Sequence, residues 1–128
     1  MIVDDRDTLA ELTALSDAYE AALAANDLDR LDRFFWEADT ALRYGVGEAL
    51  YGIEAIREFR RQRTNGSPPR QVIRRTINCF DTTFAVVNLE FLRTGSTRIG
   101  RQSQTWVRLP DQGWRIVAAH VSLATETT

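Results

Sequence analysis

The sequence is marked first by what it lacks: none of its 128 residues is a lysine, and all 16 basic residues are arginines. The chain therefore cannot form a lysine Schiff base, supply a Walker lysine or carry biotin on lysine. It has one cysteine, Cys79, and one histidine, His120. A disulfide within the chain and a cysteine-rich metal site are thus excluded. Because no His-x-His spacing exists, we also expect no bound metal and no cofactor.

The composition also argues against two classes of partner. The net charge is 16 minus 18, or −2, so no global positive field draws nucleic acid to the chain. A basic stretch between Arg60 and Arg75 lacks the interleaved aromatic residues of a single-stranded nucleic-acid site. No apolar run reaches the roughly 18 residues of a membrane span, and the acidic start does not resemble a signal peptide. We therefore expect a cytoplasmic protein without nucleic-acid or membrane partners.

Length and composition predict one globular domain over residues 1–128. Hydrophobic residues make up 44% of the chain, and a chain of this size buries enough surface for one core but not for two. The spacing of apolar residues predicts three helices, over residues 8–26, from 28 to about 36, and over 53–62. Thr8 and Glu11 are expected to form a capping box for the first helix, and Asp27 is expected to cap the second.

The second half of the chain is rich in strand-forming residues, and turn residues divide it into four segments. These predicted strands cover residues 71–80, 84–93, 98–109 and 114–123. A shorter strand is predicted over 40–44, before a glycine-rich loop that contains Glu48. Helices followed by a run of strands indicate an α+β fold. We expect a curved antiparallel sheet wrapped around three N-terminal helices.

Alternation along these strands indicates candidate ligand-binding residues. Gln104 and Trp106 share one face of their strand, Asn88 lies on one face of the preceding strand, and His120 follows Ile116 in a period of two. If these faces line a concave sheet, their amide, indole and imidazole donors suit a small urea-like ligand. We predict all four as substrate-binding residues, although a core role also explains His120.

Two blocks of the sequence resemble a known family. The first contains Phe35-Trp36, Arg43-Tyr44-Gly45, Glu48, Leu50-Tyr51-Gly52, Ile56, Phe59-Arg60 and Arg63. The second contains Gly100-Arg-Gln-Ser-Gln-Thr-Trp106 and Trp114-Arg-Ile-Val-Ala-Ala-His-Val-Ser122. Together they are similar to AtzH/HpxZ-type proteins of cyanuric-acid and oxalurate catabolism, within the SnoaL-like, nuclear-transport-factor-2-like superfamily. The resemblance implies the cystatin-like cone of that superfamily, in which a sheet and helices enclose one pocket.

The resemblance also implies an activity. It is that of a lyase, a cofactor-free decarboxylase acting on a small anionic N-carboxylated urea, of the type that converts 1,3-dicarboxyurea to allophanate. A tyrosine on the first helix and an arginine on the first strand are implicated in that reaction, and by motif position these are Tyr19 and Arg43. From the residues alone, a core tyrosine and a solvent-facing edge arginine explain the two positions as well.

Two other functions and an assembly state stay open at this point. The domain could bind an acidic ureide without catalysis, in association with an amidase of oxalurate catabolism. It could instead be a ketosteroid-isomerase-like acid–base enzyme, which needs an inward carboxylate such as Glu90 or Asp39.

Trp106 and Trp114 lie in long strands whose apolar surface exceeds what a short helical layer covers. We therefore expect a homodimer formed through the outer face of the sheet.

Overall fold

The computed structural model describes residues 1–125, which form three helices and a six-stranded sheet. The helices are α1 (Arg6–Ala25), α2 (Leu28–Arg33) and α3 (Ile53–Gln62). The strands are β1 (Leu42–Tyr44), β2 (Ala49–Tyr51), β3 (Arg70–Phe80), β4 (Phe84–Arg93), β5 (Ile99–Leu109) and β6 (Gly113–Leu123). The predicted α+β architecture is confirmed, with β2 in the predicted glycine-rich loop. No helix in this part of the chain is long and apolar enough to cross a bilayer.

Helix α1 is capped by Asp5 rather than by the predicted Thr8. The Asp5 carboxylate accepts hydrogen bonds from the Thr8 backbone N–H (3.1 Å) and hydroxyl (2.8 Å), as a capping aspartate does. Glu11, the other half of the predicted capping box, accepts from the Arg108 guanidinium and the Trp114 indole instead. The predicted box was wrong because Glu11 finds charged and indole donors on the sheet.

Helix α2 begins behind Asp27 as predicted but ends three residues early, at residue 33. The backbone that follows pairs with the sheet. The Ile116 N–H donates to the Phe34 carbonyl (2.8 Å), and the Trp36 N–H donates to the Ile116 carbonyl (3.0 Å). Phe35 thereby forms a parallel bridge with Ile116. An extended backbone is needed for this bridge, so the helix stops before it.

The strands are ordered β2-β1-β6-β5-β4-β3 across the sheet. Neighbouring strands run antiparallel, as predicted, except for β1 and β6, which are parallel and place Arg43 opposite Ala119. This pair departs from the predicted antiparallel arrangement, which the other strand pairs of the described sheet follow. The reason is connectivity: after α3 the chain meanders through β3, β4, β5 and β6, so β6 reaches β1 running in the same direction.

The sheet has an inner and an outer face. Helices α1 and α3 pack on the inner face, which carries the main core around Leu12, Phe35, Trp106 and Ile116. Along β4 and β5, buried residues alternate with exposed ones. The exposed set, which includes Asn88, forms the outer face. Side-chain alternation therefore decides which polar residues can reach a ligand held among the helices.

A β-bulge in β6 changes which of its residues point inward. The pairing of β6 with β5 skips Val117, which is an extra residue on its strand. Before the bulge Ile116 is buried, and after it the buried residues are Ala119 and Val121. The period of two is broken at this point. His120, which was expected on the face of Ile116, consequently points to the outer face and is exposed.

The two tryptophans on which the dimer prediction rested lie in the core. Trp106 is fully buried and Trp114 is 8% exposed. Phe34 packs edge-on against Trp106 with ring centres 6.1 Å apart, and Glu11 accepts a hydrogen bond from the Trp114 indole. Their apolar surface is thus covered within one chain. The expected homodimer stays a prediction, but its reason must lie with other residues.

Candidate functional site

Tyr19 and Arg43 approach one region of the inner face from different elements. Tyr19 projects from α1 and is 5% exposed, while Arg43 projects from β1 with 13% of its side chain exposed. Arg63, which follows α3, links the two positions, because its guanidinium lies within electrostatic range of both. The fold therefore brings together two residues that are 24 positions apart in the sequence.

Arg43 is held by a carboxylate and an aromatic ring. Its Nη1 donates to Glu48 Oε1 at 3.0 Å, and its guanidinium carbon lies 5.5 Å from the centre of the Phe59 ring. Glu48 folds back over Gly45 in the β1–β2 turn, where any side chain at Gly45 would collide with the carboxylate. The absence of a side chain at this position is what lets Glu48 reach Arg43.

Arg63 stacks on the same ring, and none of residues 1–125 forms an ion pair with it. Its guanidinium carbon lies 5.0 Å from the centre of Phe59. Its Nε is buried, and no acceptor for it is found among residues 1–125. Burial lowers the pKa of the Arg63 guanidinium, and the charges of Arg43 and Arg60 lower it further. Arg63 is half-buried, and a guanidinium whose Nε is shielded from water without an acceptor is a group that an anionic ligand would satisfy.

A second pair of arginines surrounds Phe91, where β3 begins and β4 ends. Arg70 and Arg93 lie opposite each other in the sheet, with guanidinium carbons 4.3 and 5.7 Å from the Phe91 ring centre. Arg70 makes two hydrogen bonds to Glu20 of α1, at 2.7 and 3.0 Å. In contrast, the Arg93 Nε is buried without an acceptor in the described chain. Burial also lowers the pKa of the Arg93 guanidinium.

We call these four residues the inner arginine cluster; its members are Arg43, Arg63, Arg70 and Arg93. The carboxylates paired with it, within residues 1–125, are Glu48 and Glu20, so four positive charges face two negative ones. Burial is the largest cause of the lowered pKa of both Arg63 and Arg93. The charge of Arg43 also lowers the pKa of both residues, and the charge of Glu48 raises it. Both unpaired arginines thus lie within range of the same ion pair. This excess of positive charge favours an anionic ligand.

Gln104 lies in the same cross-strand row as Arg43, with only the small Ala119 between them. The Trp106 indole N–H donates to Gln104 Oε1 at 3.2 Å. Because an indole is only a donor, this bond identifies the amide oxygen and directs the NH₂ group elsewhere. The Gln104 Nε2 is buried and has no acceptor within residues 1–125. Two N–H donors are therefore available beside Arg43, whereas fully buried Trp106 reaches a ligand only through Gln104.

The Tyr19 ring is fixed by its neighbours. Phe34 lies edge-on to it with ring centres 5.5 Å apart, and Phe34 in turn packs edge-on against Trp106. This series of rings connects α1 to β5 across the core. Tyr19 also lies within electrostatic range of the Arg63 guanidinium.

Asn88 and His120 do not belong to this region. Asn88 is exposed on the outer face, where its Oδ1 accepts a 2.6 Å hydrogen bond from Ser103. His120 is exposed on the same face, with its ring 5.6 Å from that of Tyr44. Alternation alone could not tell which face of β4 was inner, and the bulge at Val117 reversed the expectation for His120. We therefore exclude both from the ligand site.

The carboxylates considered for an isomerase-like base are also elsewhere. Glu90 lines a groove on the outer face, together with Arg74, Thr76, Asn88, Arg101 and Ser103. Asp39 is exposed in the segment before β1. Neither reaches the inner arginine cluster, so neither can act on a ligand bound there. Among residues 1–125, no group of three or more His, Cys, Asp or Glu side chains is placed to hold a metal ion.

Several charged residues of the region were not predicted as site residues, among them Glu48, Arg63, Arg70 and Arg93. Glu48 and Arg63 stand in the motif block that resembles the family, and this was the signal available for them. Arg93 ends a predicted strand, where nothing in the sequence distinguishes it from a solvent-facing arginine. Its role depends on Phe91 and on the cross-strand position of Arg70, which only the assembled sheet defines.

Comparisons with known proteins identify the family and the fold of the chain. A family model described as AtzH-like matches residues 1–127, whereas a search of curated proteins found no match. Among solved structures, a protein of unknown function from Pectobacterium atrosepticum is 50% identical, with 96% of this chain and 95% of that chain covered and a TM-score of 0.92. A cystatin-like fold protein from Burkholderia xenovorans is 40% identical, with 99% of each chain covered and a TM-score of 0.94.

A more distant structure shows how widely the architecture is shared. A nuclear transport factor 2-like superfamily protein from Salmonella enterica is 21% identical, with 95% of this chain and 94% of that chain covered and a TM-score of 0.79. At this identity the likeness concerns the fold alone. The cystatin-like, nuclear-transport-factor-2-like fold that the motifs implied is thereby confirmed.

Proposed function

The chain belongs to the AtzH-like family, and from that premise we propose that it is a cofactor-free decarboxylase of an N-carboxylated urea, of the type that converts 1,3-dicarboxyurea to allophanate. The observation that supports the proposal is that Arg43 and Arg63 lie over one ring, Phe59, with Tyr19 within electrostatic range of Arg63. Loss of carbon dioxide from a carbamate needs a bound carboxylate and a proton. The arginines can bind the carboxylate, and the phenol beside them can supply the proton.

In the proposed step the protein needs only to bind the substrate and to transfer a proton. The bond between the carboxylate carbon and the urea nitrogen breaks, and its electron pair stays on the nitrogen. The nitrogen takes a proton and the carbon leaves as carbon dioxide, so a dianionic substrate becomes a monoanionic product. Because the electron pair ends in an N–H bond, the step needs no electron-sink cofactor.

Each residue has a separate task in this step. Arg43 binds a substrate carboxylate through its planar guanidinium, at the place that Glu48 fills in the structure. Tyr19 gives the proton to the urea nitrogen and regains one from solvent. Gln104, oriented by Trp106, donates its free amide N–H groups to the urea carbonyl oxygen. An acceptor at that point also removes the cost of a buried unpaired amide.

Freshly prepared 1,3-dicarboxyurea tests the proposal directly. Carbon dioxide release is measured with and without the protein and corrected for spontaneous decay. We expect the protein to accelerate release and folded Tyr19→Phe to lose most of the acceleration, since it retains the ring and lacks only the hydroxyl. If no acceleration is seen although calorimetry detects binding of oxalurate or another acidic ureide, the decarboxylase proposal fails. A non-catalytic ureide-binding protein then replaces it.

A further inference from the structure

Arg63 and Arg93 differ from the other members of the inner arginine cluster, because each of those has a carboxylate partner. No hydrogen bond or ion pair from the side chain of either residue is found within residues 1–125, and the Nε of each is buried. Holding an arginine in this state costs free energy that a solvent-facing position would avoid. Two such side chains in one region point to a ligand that supplies the missing acceptors.

Both guanidinium groups are held in place by aromatic rings. Arg63 lies over Phe59 at 5.0 Å and Arg93 over Phe91 at 5.7 Å. Stacking on a ring satisfies the flat face of a guanidinium and leaves its edge of N–H donors free for a carboxylate. The two side chains are thus positioned for binding before any ligand arrives, and the entropy lost on binding is reduced.

The two arginines belong to different aromatic stacks, and both lie within electrostatic range of one ion pair. Arg63 lies within electrostatic range of Tyr19 and of Arg43, whereas Arg93 lies beside Arg70 at the ends of β3 and β4 and is also within range of Arg43. The cluster as a whole carries two more positive than negative charges. A ligand with one negative charge would neutralise only one of these two charges.

We propose that Arg63 and Arg93 are the specificity-determining residues of the site: Arg63 shares one carboxylate of a two-carboxylate ligand with Arg43, beside it on Phe59, and Arg93 binds the other carboxylate. This inference rests on the proposed function, which it deepens by assigning the groups that distinguish dicarboxylates from monocarboxylates. It requires that the two carboxylates be far enough apart to reach both stacks. Glutarate meets this condition as a stable probe, since three atoms separate its carboxylate carbons as in 1,3-dicarboxyurea.

Isothermal titration calorimetry with glutarate and with monomethyl glutarate tests the assignment. The two probes have the same backbone and differ by one negative charge. We expect the protein to bind glutarate roughly 10- to 100-fold more tightly, the value of one charged hydrogen-bonded contact. Arg63→Gln and Arg93→Gln should each remove most of this preference. Arg101→Gln, on the exposed outer face, should retain it.

Equal affinity for the two probes, or full preference in either folded glutamine variant, would overturn the assignment. If a glutamine variant does not fold by circular dichroism, the lysine variant replaces it. Lysine retains the charge but not the planar edge, so the same loss of preference is expected, and an unchanged preference would contradict the proposal. Binding is measured without turnover. A failed decarboxylation assay with intact glutarate preference would therefore reject the proposed reaction alone.

Discussion

The Arg43 guanidinium and the Glu48 carboxylate form a 3.0 Å ion pair at the point where the proposed substrate must place a carboxylate. Glu48 therefore competes with the ligand for Arg43. Glu48→Gln removes the competing charge and leaves the side-chain shape unchanged. We expect this variant to bind glutarate roughly 3- to 10-fold more tightly in calorimetry, a modest gain because the pair is partly exposed and screened. Weaker binding would show that Glu48 positions Arg43 instead.

Substitution of Arg43 and Tyr19 should separate binding from catalysis. Arg43→Ala loses a bidentate charged contact, which costs about 2–4 kcal/mol or roughly 30- to 1,000-fold in kcat/KM. Arg43→Lys should recover little of it. Tyr19→Phe should lower kcat with little change in KM, because only the proton donor is lost. Steady-state kinetics on variants that fold by circular dichroism give the answer. Normal turnover in Tyr19→Phe would remove the tyrosine from the mechanism.

Gln104 offers a test in which activity and stability separate. Gln104→Met keeps the length of the side chain and removes an amide whose Nε2 has no acceptor among residues 1–125. The variant also leaves the Trp106 indole N–H unpaired, so gain and loss nearly cancel and the unfolding free energy should change by less than about 1.5 kcal/mol. Decarboxylation should nevertheless fall strongly. Denaturant unfolding and kinetics measure the two quantities, and retained activity would exclude Gln104 from the site.

The N-cap of α1 should give the protein a defined acid sensitivity. Hydrogen bonds from the Thr8 hydroxyl and backbone N–H hold the pKa of the Asp5 carboxyl below its usual value. A lowered folded-state pKa means that the cap stabilises the protein above the usual aspartate pKa. This stabilisation is lost as pH falls through the lower folded-state value. Asp5→Ala should therefore lower Tm at neutral pH, and its difference from wild type should shrink in acid.

Asp5→Asn is the matched control for this experiment. Asparagine also caps helices but carries no charge, so its Tm difference from Asp5→Ala should not depend on pH. Thermal melts followed by circular dichroism at a series of pH values measure both variants. A difference between wild type and Asp5→Ala that stays constant down to strongly acidic pH would contradict the assignment of the acid sensitivity to this carboxyl.

The homodimer expected from the sequence can be tested on aromatic residues that remain exposed. Tyr51 is 67% exposed at the edge of the sheet, and its ring lies 6.2 Å from that of Tyr44, which also contacts His120. Exposed aromatic groups of this kind are typical of interfaces. We expect a dimeric mass by sedimentation at micromolar concentration, lost in Tyr51→Glu and retained in Tyr51→Phe. A monomeric wild-type protein would end the dimer prediction.

Much of the fold could be predicted because local patterns and tertiary packing favour the same elements. Helix α3 and strand β4 occur at the predicted bounds, 53–62 and 84–93, since their apolar residues repeat with helical and strand periods. Predictions failed where a distant partner competed with a local one. Glu11 binds Arg108 instead of forming the expected cap. The residues after α2 are extended and pair with Ile116 instead of continuing the helix. Such competitors lie far away in the sequence.

Some features of the candidate site could likewise be predicted from the sequence, whereas others depend on the tertiary structure. The motifs by themselves indicated the family and, through the resemblance, the candidate pair Tyr19 and Arg43, while the order of helices and strands indicated the α+β fold. Only the tertiary structure decided which arginines are paired and which are not, since no carboxylate of residues 1–125 forms an ion pair with Arg63 or Arg93. It also decided that His120 faces outward, because one extra residue in β6 reverses the alternation that follows it.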